Sequence, residues 1–140
     1  RRYVRDLGRV MIALAKDYGI DARLLPELIG IWVDLDSPGT WSCEDAERPA
    51  RMAKLGAIGV RLSRWVTMHG FALNVANDLS LFDSIVPCGI REHGVISLEK
   101  LGTQTTPSAL VPRTMQLFAE AFDARVTQED AGFLGIGSPK

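Results

Sequence analysis

Charge of one sign, long apolar runs and metal-ligand spacings are all missing from this chain. Sixteen basic residues stand against seventeen acidic ones, for a net charge of -1. A nucleic-acid-binding domain would need a basic surplus, so that class is not expected. No apolar run approaches the ~18 residues of a membrane-spanning helix. The longest candidates, such as 10–15, are short and flanked by Arg9 and Lys16. There are two cysteines, Cys43 and Cys88, and two histidines, His69 and His93. No Cys-x-x-Cys or His-x-x-x-His spacing occurs, so no structural zinc site is expected. Two thiols allow one bridge, but reduced cysteines are the expectation for an intracellular chain. The opening Arg1-Arg2-Tyr3 resembles neither a secretory signal nor an initiator methionine, and a soluble cytoplasmic protein is the default.

What is present reads as one domain, long enough at 140 residues to bury a core without disulfides or metals. Val4, Leu7, Val10, Met11, Leu14, Ala15 and Tyr18 recur at three- and four-residue spacing, predicting a helix over 2–18 that Gly19 stops. A β-branched and aromatic run predicts a strand over 28–33. The stretch 34–49 collects Asp, Ser, Pro, Gly and Glu and reads as a loop. Strands over 55–62 and 66–75 follow, joined by a hairpin or bulged turn at Ser63-Arg64-Trp65 and interrupted by glycines at 56, 59 and 70. Glycine in a strand weakens it but permits close approach of a ligand. A helix-like segment spans 79–85. A last amphipathic helix over 108–122 carries Leu110, Met115, Leu117, Phe118 and Phe122, with Pro112 arguing for a later start. Residues 131–140 read as a flexible tail on a domain of 1–130. The class is α/β or α+β, with helices packed on a mixed sheet.

Among candidate reacting groups, Cys88 stands first. In Ile85-Val86-Pro87-Cys88-Gly89-Ile90 the proline fixes the backbone before the thiol and the glycine admits a substrate after it. A thiol needs a neighbouring cation to ionise, and Lys54, ahead of a glycine-punctuated strand, can be brought beside it by a strand and a return connection. An isolated cysteine is more often a small buried hydrophobe, and an isolated lysine a solvated charge. His69 would complete a Cys–His pair, or stand hydrogen-bonded in place. His93 reads as part of an exposed turn, and Asn74 as a turn anchor at a strand end. Arg48, Arg51, Lys54, Arg61 and Arg64 form a basic stretch, either a solvated face or a docking surface for an acidic carrier.

Taken together, these strings resemble the lipoyl (octanoyl) transferase family. The resemblance rests on Gly30-Ile31-Trp32-Val33 and on Lys54-Leu55-Gly56-Ala57-Ile58-Gly59-Val60-Arg61. It continues through His69-Gly70-Phe71-Ala72-Leu73-Asn74-Val75, Asp78-Leu79-Ser80-Leu81-Phe82 and the Cys88 segment, and is strongest over 30–98. It implies a fold similar to the biotin and lipoate protein ligases. It also implies that Cys88 takes the acyl group as a thioester, while Lys54 lowers the thiol pKa and moves protons. Ala57, Ile58, Gly59, Gly70, Phe71 and Ala72 would bind the acyl chain, with His69 and Asn74 as weaker candidates. The donor would be octanoyl-acyl carrier protein. The acceptors would be lysines of lipoyl domains of 2-oxoacid dehydrogenases and of the glycine cleavage H protein. No cofactor, metal, nucleic acid or membrane enters.

The family's upstream Arg-Gly-Gly and Tyr-His-Gly-Pro-Gly segments, another wall of the pocket, have no counterpart here. The resemblance is therefore to the C-terminal part of the enzyme, which leaves an inactive fragment as an alternative. An ATP-dependent lipoate ligase is a second alternative, though Pro87-Cys88-Gly89 argues against it. A papain-like hydrolase lacks its usual motifs.

Overall fold

The apolar spacing at the start of the chain forms helix α1 (Arg2–Lys16) in the computed structural model, which describes residues 2–41, 48–80 and 93–128. Leu7, Val10, Met11, Leu14 and Ala15 are buried along one stripe. Each large side chain among them stabilises the fold by roughly 1.5–3 kcal/mol on leaving water. The helix ends at Lys16, two residues before Tyr18. There Gly19 takes φ +74°, and the Gly19 and Ile20 amides close on the carbonyls of Lys16 and Ala15.

An antiparallel meander follows, with strands β1 (Ala22–Leu25), β2 (Leu28–Asp34), β3 (Met52–Ser63) and β4 (Val66–Leu73) in that spatial order. Strand β1 is too short for any alternation to announce it. Its turn to β2 has Pro26 followed by Glu27 at φ +67°, the pattern of a type II turn. The β3–β4 connection is tighter than expected. Ser63 pairs with Val66, leaving only Arg64 and Trp65 in the turn, both at positive φ as a type I′ turn requires.

A short fifth strand, β5 (Gly94–Val95), runs parallel to β3 beside Ala53 and Lys54. The architecture is α+β on a mixed sheet. Lys54 thus lies mid-sheet, paired with Trp32 of β2 on one side and Val95 of β5 on the other.

Helix α2 (Pro107–Phe122) starts earlier than Pro112 suggested. Thr106 caps it by accepting the Ala109 N–H, and Pro107 fills the first turn, where a missing N–H costs nothing. Pro112 therefore sits inside the helix. Packing against α1 offsets its cost: Phe122 meets Tyr3 and Phe118, and Arg113 pairs with Asp17 at 2.8 Å. No helix among the described residues is long and apolar enough to cross a membrane.

Hydrophobic side chains gather on both faces of the sheet. On the α1 side Leu7, Met11 and Leu14 pack with Ile31, Val33, Leu55, Ile58 and Leu98. On the opposite face a smaller cluster joins Leu25, Trp32, Trp41 and Met52. Residues 42–47 of the 34–49 loop, 81–85 of the 79–85 segment and the 131–140 tail lie outside the described residues.

Candidate active site

A bulge in β3 decides which side chains share a face. Up to Leu55 the alternation is regular: Leu55 joins the α1-side core, while Lys54 lies opposite Trp32 on the other face. The register then shifts. Trp32 pairs with Lys54 but Ile31 pairs with Gly56, so Leu55 and Gly56 together oppose one residue. A Cβ placed on Gly56 would meet Met11 Sδ at 2.7 Å, so this glycine too is turned toward α1. Beyond the bulge the parity is inverted. Ile58 enters the α1-side core, and Ala57 and Gly59 are exposed on the face that carries Lys54.

This inversion lays a floor of small residues next to the lysine. Ala57 pairs with Ala72 and Gly59 with Gly70. Together with His69 and Phe71 they line an open groove of about 280 Å³. A Cβ on Gly59 would meet nothing within 4 Å. At a strand rise of ~3.3 Å per residue, with the bulge counted as one step, the groove floor extends to roughly 13 Å from Lys54.

Not every residue expected to line the groove does so in the same way. Ile58 is buried in the α1-side core and borders a separate cleft of about 530 Å³ with Val4, Leu24 and Gly30. Phe71, its register partner, packs on that core while also bordering the groove. His69 is exposed beside the groove with φ +70°. Asn74 follows β4, and its side chain is engaged elsewhere. Its Nδ2 donates to the Ile96 carbonyl at 3.1 Å, its N–H donates to Leu55, and its carbonyl accepts from Leu98. It fastens the chain after β5 to the end of β4.

Lys54 itself is 6% exposed. Its Nζ lies 4.9 Å from the centre of the Trp32 ring. Its methylenes run past Gly30, where an added Cβ would come within 3.3 Å of Cε and 2.4 Å of the Gly56 carbonyl oxygen. Trp32 is 1% exposed and donates from Nε1 to the Leu28 carbonyl at 3.2 Å.

His93 corrects an expectation. It is half-buried, with its ring 5.7 Å from that of Trp32 and inclined to it at 77°, because the β5 pairing that follows draws it against the sheet. Trp32 and His93 are thus neighbours of the site that residue-by-residue reasoning missed. The available signal was the alternation Gly30-Ile31-Trp32, which sends Gly30 and Trp32 to one face. Cys88 lies outside the described residues; the described chain resumes five positions later at His93.

The five basic residues have separate fates. Arg51 pairs with Asp36 at 2.8 Å and Arg48 lies 3.9 Å from Glu27. Lys54 is buried. Arg61 and Arg64 are exposed toward the β3–β4 tip and make no ion pair among the described residues.

Comparison with known proteins bears on the same elements. Residues 1–123 match the lipoyl protein ligase A/B catalytic domain. The octanoyltransferase of Sphingopyxis alaskensis is 48% identical over 86% of this chain and 51% of its own length. That of Myxococcus xanthus is 42% identical over 89% of this chain and 32% of its own length. That of Zymomonas mobilis is 42% identical over 77% and 44%. The chain spans about half or less of the length of these curated relatives.

Proposed function

The chain belongs to the lipoyl protein ligase A/B catalytic domain family, and from that membership we propose that it carries the reacting residues of an octanoyltransferase. The relatives named octanoyltransferase supply the activity. The observation that carries the reading is the buried Lys54 sharing a face with the small-residue groove of Ala57, Gly59, Gly70 and Ala72. A floor of glycines and alanines suits an alkyl chain, and each methylene it takes out of water adds about 0.8 kcal/mol.

Cys88 supplies the nucleophile in this reading. It lies five positions before His93, a reach of no more than about 18 Å even when fully extended. The Lys54 ammonium favours the Cys88 thiolate, which attacks the carbonyl carbon of an octanoyl thioester on acyl carrier protein. The carbon–sulfur bond to the carrier breaks, the departing thiol takes the Lys54 proton, and an S-octanoyl enzyme remains. A lysine amine of a lipoyl domain then attacks that thioester. Neutral Lys54 accepts its proton, the amide forms, and Cys88 leaves as thiolate. The thioester is already activated, so no nucleotide is consumed.

This last point separates the transferase from a ligase. The full-length protein, mixed with octanoyl carrier protein and a lipoyl domain, is expected to form the octanoyl-lysine amide without ATP, as read by the mass of the domain. Amide formation from free octanoate that requires ATP, with none from the carrier thioester, would overturn the transferase reading in favour of a ligase.

A further inference from the structure

A lysine that works on a neighbouring thiol must keep its ammonium in one place, although its stem has four rotatable bonds. In this fold the buried Lys54 side chain makes no hydrogen bond or ion pair with any described residue; its ammonium meets the Trp32 ring instead. We propose that Gly30 and Trp32 form a seat for Lys54, with Trp32 as a positioning residue that holds the ammonium over its indole face and His93 bracing the indole by its ring contact. The inference rests on the transferase reading above, because it assigns these residues a role in that reaction.

Three observations converge on the seat. The first is backbone shape. Gly30 at φ +121° leaves room for the Lys54 methylenes, and any side chain there would strike the Gly56 carbonyl. The lysine stem therefore has a trough on β2 one alternation away from the ring that receives its head.

The second is orientation. The indole cannot rotate freely: Nε1 is held by the Leu28 carbonyl, and Leu25, Trp41 and Met52 pack around the ring. Its face is presented to Nζ at 4.9 Å, within the ~6 Å over which a ring quadrupole attracts a cation. The attraction acts on the charged form only, which is the form that stabilises a thiolate.

The third is connectivity. His93 packs against the same indole, 5.7 Å between ring centres and inclined at 77°, and it is the first described residue after the Cys88 segment. The ring that seats the lysine thus also abuts the chain returning from the cysteine. Burial alone explains an apolar residue at position 32; it does not explain an aromatic face turned to a cation with an imidazole packed on the same ring.

The test separates attraction from packing. Trp32 in the full-length protein is replaced site-specifically by mono-, di- and trifluorotryptophan, which weaken the face of the ring while nearly keeping its shape. The readouts are Cys88 acylation from octanoyl carrier protein and the pH dependence of Cys88 alkylation by iodoacetamide. Each added fluorine is expected to lower kcat in steps, reaching about tenfold or more for the trifluoro ring. KM should stay within about twofold and the alkylation profile should move to higher pH. Trp32→Leu should show the same effects more strongly, and Trp32→Phe less. If kcat and the alkylation profile are flat across the fluorinated series while wild type is active, the seat is refuted and the transferase reading stands. If wild-type Cys88 never takes the acyl group, the transferase reading itself fails.

Discussion

Filling the groove at Gly59 should change which acyl chain is used while leaving the fold intact. A Cβ on Gly59 has no atom within 4 Å, and its backbone is not in the left-handed region. Gly59→Val therefore meets no overlap at Cβ. Removing a glycine from a strand interior is, if anything, stabilising by about 0.5–1 kcal/mol. The new side chain projects into the groove shared with Ala57, Gly70 and Ala72. It takes the room of roughly three methylenes at about 0.8 kcal/mol each, some 2.4 kcal/mol in all. If that contact is made in the transition state, kcat/KM for the octanoyl donor falls about sixty-fold. A donor three carbons shorter, whose tail ends nearer Lys54, should be nearly unaffected. The assay is the rate of Cys88 acylation in the full-length protein from carriers loaded with each chain, alongside thermal unfolding. Equal losses for both donors, or none for the longer one, with an unchanged thermal midpoint, would refute the placement of the acyl tail along this floor.

Two further outcomes follow from the same structure. Gly30→Ala should lower unfolding stability in urea by at least about 1–3 kcal/mol, from its left-handed backbone alone, and more once the Gly56 carbonyl is displaced. Asp21 sets an acid limit. Burial raises its carboxyl, but the Arg23 guanidinium, the Trp41 N–H and Lys16 together hold it below the ordinary carboxylate value. A lowered folded value means its contribution is complete above the ordinary value and is lost as pH falls through the folded one. Asp21→Asn should therefore reduce stability near neutral pH and flatten its decline in acid, as read by urea midpoints from pH 2 to 7.

Much of the frame was legible because its signals are local. Helix α1 follows from a stripe of Leu7, Met11 and Leu14, and β2, β3 and β4 from β-branched runs bounded by turn residues. Strands β1 and β5 were not legible, since four and two residues carry no period; β5 exists because the chain after His93 finds an unpaired edge beside Lys54. The start of α2 was obscured by Pro112, whose penalty is local while the compensating contacts of Tyr3 and Phe122 are not. For the site, Lys54 and the small residues were marked by composition and by family resemblance. The face they share was not. It depends on one extra residue in β3 at the Leu55–Gly56 bulge, and strict alternation would have sent Ala57 and Gly59 to the core and Ile58 to the groove. His93 was misread for a related reason: its sequence neighbours are polar, but its contact is with Trp32, 61 positions upstream.

The transferase reading proposed above requires Cys88 and Lys54 to act as one unit. The direct measurement is peptide mass spectrometry on the full-length protein after incubation with octanoyl carrier protein, for wild type, Lys54→Met and Cys88→Ser. Wild type should carry one hydroxylamine-labile octanoyl group on Cys88. Lys54→Met, folded by its thermal midpoint, should acylate about 10²–10⁴-fold more slowly, and Cys88→Ser should carry no thioester. An octanoyl thioester that forms on another residue in Cys88→Ser, or at the wild-type rate in Lys54→Met, would contradict the account.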